Sequence, residues 1–467
     1  MSASTVARVD PSTAGRVKDP GVRGCFDQMS RQQSFLDVES ALAQTQAALG
    51  MIPQEAADRI AQVAHLDQLE QARIDQSTAK TSHPLVPLIW ELARVAGPGA
   101  GDYVHWGATT QNIVSTGEAL ILRRVHGVFL DLIARILTTL ADLADRSADM
   151  PVAGRTHGQH AVPMTFGYKP AVWIDELRRH VDRLTAAESR VFVAVLGGAV
   201  GNFASTGEQG PAVQAGVASR LGLSQVGVPS RSALDGDAEY VSLLGLLAAT
   251  TGKIAREIYT LMKTEFGEVE EPTPPGTVGS STMPQKRNPK LCQDIITSSA
   301  RIRSCVPLAL EGMQVEHESD RAMTMMIRQA IEEACVETGD ALSRLVTVLE
   351  GLEIFPQRMR VNLDLTGGLI MSEAIMMRLA ESLGRQDSHD AIYDAAQATA
   401  LGQGSFADLL LADDRVGSRL TAEEVAALTD PSSYVGLSAD IAHAAAEAGR
   451  SAAATISRRL AGASNGG

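Results

Sequence analysis

Residues 237–266 read DAEYVSLLGLLAATTGKIAREIYTLMKTEF, a run without proline in which Leu244, Leu247, Thr251, Ile254, Ile258 and Leu261 lie three and four apart. Side chains at that spacing share one face of an α-helix, and a seam this long belongs to a helix packed on other helices. Two further runs repeat the pattern. Residues 115–150 hold no proline and, after Glu118, a single glycine at 127, and residues 321–352 carry Met323, Met326, Ala330, Ala334, Leu342, Leu345 and Leu349. A helix of this length spans roughly 45 Å. Such helices predict an all-α chain whose seams are buried in other subunits, so an oligomer is expected. Three Trp, six Tyr and nine Phe in 467 residues leave the core to Ala, Leu and Met, as close helix packing requires.

Outward from these runs, 34–49 (SFLDVESALAQTQAAL) is strongly helical and is stopped by Gly50 and Pro53. A second helix is expected over 54–64. Residues 79–107 read as a polar, Gly-rich connection. Ser115 and Glu118 have the spacing of a capping box at the head of the first long helix. Short helices are expected over 362–384 and a helix, turn and proline stop over 421–436, while the 462–467 tail reads as unstructured. Met323, Met325 and Met326 read as core filler. By length and pattern the chain divides into 1–108, 109–352 and 353–467.

The net charge of −14 argues against nucleic acid and anionic membranes as partners. Cys25, Cys292, Cys305 and Cys335 form no ligand or redox pattern and read as reduced structural thiols. No apolar signal segment is visible in 1–21 and no run is long enough to span a membrane, so a cytoplasmic location is expected.

The chemistry-bearing stretch is GEVEEPTPPGTVGSSTMPQKRNPK (267–290). Its five prolines and three glycines exclude helix and strand, leaving a loop unusually long for a compact domain. Such loops are often lids or binding loops. Small residues around Ser280 and Ser281 let backbone N–H groups approach an anion, and Lys286 adds charge. A serine in that setting could act as a base; a solvated basic loop would look the same on composition alone.

Within it, GSSTMPQKRNP (279–289) resembles the GSSxMPxKxNP motif of the fumarase/aspartase superfamily. VHWGATTQN (104–112) resembles the same family's HxGxTSxD block. GRTHGQHAVPMTFG (154–167) is similar to the corresponding adenylosuccinate lyase block, and the likeness runs on through GGAVGNFAST (197–206) to NLDLTGGLIMSEA (362–374). The resemblance implies an all-α, three-domain subunit in a homotetramer with a twenty-helix core, each active site being assembled from three subunits. It implies abstraction of a proton next to a carboxylate, an aci-carboxylate dianion, and expulsion of a leaving group with fumarate as the usual product. Carried over, Ser280 resembles the base, His157 the general acid and His83 a second active-site histidine. Lys286, Asn288 and Ser281, with Thr109, Thr110 and Gln111, resemble the substrate-binding set, to which Arg321 and Arg328 are added. This division suits β-elimination, which needs a base and an acid on opposite faces and donors aimed at the developing dianion. It calls for no metal and no other cofactor. His105, His160 and His317 read instead as hydrogen-bonding scaffold.

The departures narrow the branch. Asn112 stands where relatives commonly have Asp, Thr110 where many have Ser, and Gln293 where adenylosuccinate lyases have Glu. Of that enzyme's phosphate-binding residues beyond His317, Arg328 alone is matched, Thr324 and Met325 standing where serines are expected. FDQMSRQQSFLDVESALA (26–43) and QVEHES (314–319) resemble carboxymuconate cycloisomerase, yet those enzymes can lack the histidine found at 157, because closing a lactone protonates no leaving group. The expectation is therefore anti β-elimination from a small dicarboxylate substrate, an amino-, nitro- or N-substituted succinate. Carboxymuconate cycloisomerase is the alternative, and adenylosuccinate lyase or a non-catalytic structural homologue are less favoured readings. Against a negative overall field, positive charge must be focused around Lys286.

Overall fold

The computed structural model describes residues 9–464. Helices carry it, and strands occur among these residues only as three two-stranded ladders. The long runs form helices Thr110–Arg146, Asp235–Leu261 and Arg321–Glu350, accompanied by Tyr168–Val191 and Lys290–Glu311. The chain resolves into two compact units. One comprises residues up to 132, 179–252 and 294–344; the other comprises 133–178, 253–293 and the chain from 345 onward.

In the first unit, helix Gln28–Ala48 packs on Gln54–Val63 and on Gly210–Leu221. Gly117 is required here, since a Cβ at that position would overlap the Phe35 ring. Charged and polar side chains in the interior are partnered: Arg31 pairs with Glu118 and Glu332, Arg344 with Asp294, and His126 Nε2 lies 2.9 Å from Glu188.

In the second unit, strands Pro151–Thr156 and Gln159–Thr165 form an antiparallel hairpin, and helix Pro356–Leu363 packs against the first strand. The core beneath it gathers Ala153, Leu363, Ile370, Ile375, Leu379, Phe406 and Leu410. Burying such side chains contributes on the order of 1.5–3 kcal/mol each.

Several expectations need correction. The seam residues Leu244, Leu247, Thr251, Ile254, Ile258 and Leu261 are almost fully buried within the single chain, so the seam is covered by the subunit itself rather than by a neighbour. The first long helix begins at Thr110, five residues before the anticipated cap, which leaves Ser115 and Glu118 inside it. The connection 79–107 contains helix Val86–Ala96, where proline in the first turn starts a helix rather than breaking it. Val269–Glu270 pairs with Glu353–Ile354, so a short strand opens the long loop. Met325 is exposed and Met323 and Met326 are half-buried, none of them core. Helix Ser438–Ser464 runs into the tail as far as 464, and residues 465–467 lie outside the described residues.

Candidate active site

The hairpin explains how His157 is held. Thr156 faces Gln159 across the ladder, so His157 and Gly158 alone make the turn, and both have positive φ, 54° and 77°. That is the backbone of the two-residue turn that matches strand twist, and it puts the imidazole at the exposed tip. At the base, Arg155 lies opposite His160 and pairs with the fully buried Glu268, whose carboxylate also accepts from Asn362 Nδ2 at 2.8 Å. Burial, then the charge of Arg155, holds the His160 pKa below its ordinary value, with Glu268 opposing. His160 is thus neutral at pH 7, but its buried Nδ1 has no hydrogen-bond partner among the described residues, so it is not the hydrogen-bonding scaffold expected from the sequence.

The loop is built differently. Its ends are fastened by Glu271, whose carboxylate accepts the backbone N–H groups of Leu291 and Cys292, each at 3.0 Å. An anion at the start of helix Lys290–Glu311 is favoured by the helix dipole. Farther out, Gly279 lies against the Lys286 carbonyl so closely that a Cβ would collide with it, and Asn288 Nδ2 donates to the Gly279 carbonyl at 2.7 Å. The neck so formed presents Ser280, half-buried, with its Oγ accepting from the backbone N–H of Met283 at 3.1 Å and of Thr282 at 3.3 Å. Donors aimed at a hydroxyl oxygen stabilise its deprotonated form. Ser281 and Lys286 are exposed, and Lys286 makes no ion pair among the described residues.

The remaining candidates lie in the first unit. Thr109, Thr110 and Gln111 form the entry to helix Thr110–Arg146, where unpaired N–H groups and the helix dipole favour an anion. Asn112 fixes that entry: its Oδ1 accepts from Thr109 N and from Gly198 N, and its side chain is fully buried. An amide oxygen satisfies both donors without burying a charge, although its Nδ2 is buried without a partner among the described residues. Gln111 Nε2 donates to Ser115 Oγ at 2.8 Å, and both line a cavity of about 360 Å³ together with Thr324 and Arg328. Asp237 lines it too. Burial pushes its carboxyl up to about 6, with Arg328 opposing and Glu118 and Asp235 reinforcing. Arg321 stands exposed at the start of its helix and does not line this cavity.

His83 Nδ1 accepts from the N–H groups of Leu85 and Val86, at 3.2 and 3.1 Å, at the head of helix Val86–Ala96. With that nitrogen occupied as acceptor, the neutral ring carries its proton on Nε2. His105, with φ 64°, pairs through Nδ1 with Glu39 at 2.6 Å, as scaffold would; His317 is exposed. The structure thus gathers Gln111 and Arg328 around one cavity and Ser280, Lys286 and Asn288 on one loop, with His157 on its hairpin. The sequence reading missed Asp237 and Arg231 in the cavity wall. The Gly-, Pro- and Ser-rich stretch 227–236 was the available signal, of the same kind as the long loop. Among the described residues no group of three or more His, Cys, Asp or Glu is arranged to hold a metal ion, and no helix is long and apolar enough to cross a membrane.

Comparison with known proteins places this helical chain among lyases. The Lyase family matches residues 15–304, and the Adenylosuccinate lyase C-terminus family matches residues 368–445. The chain belongs to the fumarase/aspartase superfamily of lyases. It is 38% identical over 419 residues to N-acetyl-S-(2-succino)cysteine lyase of Enterococcus italicus, covering 90% of this chain and 92% of that protein. It is 36% identical to 3-carboxy-cis,cis-muconate cycloisomerase of Pseudomonas aeruginosa, covering 89% of this chain and 91% of that one. Among solved structures, fumarate lyase from Mesorhizobium sp. BNC1 superimposes with a TM-score of 0.86 at 35% identity, covering 92% of this chain and 98% of that chain.

Proposed function

We propose that this protein eliminates a thiol from a 2-thio-substituted succinate, releasing fumarate. The carrying observation is His157, exposed at the tip of a two-residue hairpin turn. A proton donor held in this way serves a reaction with a leaving group, whereas lactone closure needs none. The similarity to a succinocysteine lyase supports sulfur as the leaving atom, in place of which the sequence suggested an amine, nitro or N-linked group.

In this reading Ser280 Oγ takes the proton from the carbon beside one carboxylate, the electron pair moves through the dianion into the new C=C bond, and the C–S bond breaks on the opposite face. His157 delivers a proton to the departing sulfur. Lys286, Asn288 and Ser281 hold the carboxylate on which charge develops, with Thr109, Thr110 and Gln111 holding the other. His83 contributes a donor through Nε2. Sites of this kind are completed by neighbouring subunits in a homotetramer, an assembly that suits a histidine standing exposed on the single chain.

The test is incubation with S-(2-succino)-N-acetylcysteine and with 3-carboxy-cis,cis-muconate, following fumarate absorbance and lactone formation. Fumarate from the thioether is the expected result. Lactone from the muconate, with no fumarate from any substituted succinate, would overturn the proposal.

A further inference from the structure

The cavity that holds Gln111 is lined by four arginines, and two of them are paired with carboxylates. Arg31 pairs with Glu118 and Glu332 and Arg190 pairs with Glu239, while Arg328 makes no ion pair among the described residues but has the Asp237 carboxyl within its field. Arg231 is different. Its Nη1 donates to the Ala199 carbonyl at 2.9 Å, its Nε is buried without a partner, and it makes no ion pair among the described residues. The side chain is half-buried, and desolvation pushes its pKa down. The turn that carries it is braced on either side, Ser230 Oγ lying 2.8 Å from Ser232 Oγ and accepting from Ser232 N.

A partly desolvated cation left without a counter-charge costs stability. Holding one in a cavity wall is useful where an anion arrives to complete it, and a guanidinium is the group suited to a carboxylate. The succinyl half of the substrate already has its own donors, on the 279–289 loop and at residues 109–111. At about 360 Å³ the cavity is of the size that takes drug-sized ligands, more than a four-carbon diacid fills. We infer that Arg231 binds a carboxylate on the leaving half of the substrate, so that the preferred substrates are succinylated thiols carrying an acid of their own. The inference rests on the elimination reading above.

Two thioethers separate the possibilities: S-(2-succino)-N-acetylcysteine and S-(2-succino)-N-acetylcysteamine, which lacks the extra carboxylate. The wild-type protein should favour the first in kcat/KM by about ten- to a hundredfold, as a charge-assisted hydrogen bond allows. Arg231→Gln should erase the preference by slowing only the acidic substrate, and Arg231→Lys should restore part of it. An unchanged ratio in Arg231→Gln, or no preference in the wild type, overturns the inference while leaving elimination intact. If neither thioether yields fumarate, the elimination reading fails, and calorimetric binding of N-acetylcysteine and N-acetylcysteamine still decides the role of Arg231. Selective loss of the acid's binding in Arg231→Gln supports the role, and equal binding of both thiols by both proteins refutes it.

Discussion

The hairpin that carries His157 and the loop that carries Ser280 hold the two proposed proton-transfer groups in opposite ways. The hairpin is a ladder with the smallest possible turn, and it is anchored from beneath by Arg155, Glu268 and Asn362. The loop is fastened at its ends by Glu271 and folded at its neck by Gly279 and Asn288, while Ser281 and Lys286 stand in solvent. An acid must point at a bond that breaks in one direction, which a rigid mount provides. A base that must admit substrate and then cover it is better carried on a segment able to move.

The comparison is tested most strongly at Ser280. Ser280→Ala should lower kcat/KM for fumarate release by about 10²- to 10⁴-fold whatever the leaving group, with thermal unfolding unchanged because the loop bears little of the fold. The hairpin should respond in stability. Glu268→Ala strands Arg155 in a largely buried site and should cost about 3–5 kcal/mol, measured by denaturant unfolding; a loss below about 1 kcal/mol would remove the rigid anchor from the account.

His157→Asn keeps a residue tolerant of the left-handed backbone. It should slow elimination of alkyl thiols by about a hundredfold and of an aryl thiol much less, since an aryl thiolate departs without a proton. Equal slowing across a thiol series would take His157 out of the acid role. The smallest effect is the acid sensitivity of the hairpin. Because the folded His160 pKa lies below its ordinary value, the unfolded chain takes up a proton first as pH falls below about 6.5, and stability is lost there. Unfolding at pH 5 and pH 7.5 should show a larger acid loss in the wild type than in His160→Gln.

Much of the architecture is legible in local pattern. The period-three-and-four runs give the long helices, and the proline-rich composition of 267–290 gives the loop. What escapes is whatever depends on partners distant in the chain. The seams could not reveal that the subunit's own helices cover them, and 151–165 carries no Asn-Gly or Asp-Gly signal, because a His-Gly pair makes its turn. The Ser115–Glu118 spacing misled for a related reason. Glu118 is engaged by Arg31, a residue far away in sequence, rather than by a helix end. Ser280, Lys286 and His157 stood out because their neighbours form recognisable blocks; Arg231 lies in no such block and is conspicuous only once the charges around it are paired off.

The clamp made by Glu271 has a consequence for engineering. It fixes residues 271 and 291 as the two posts of the loop, so the chain between them is in effect a cassette. Entropy charges little for changing the length of a closed loop, and the strand at one post and the helix at the other do not depend on what lies between. Loops from related lyases could therefore be exchanged at these posts, altering which substrates are admitted while the helical frame stays as it is.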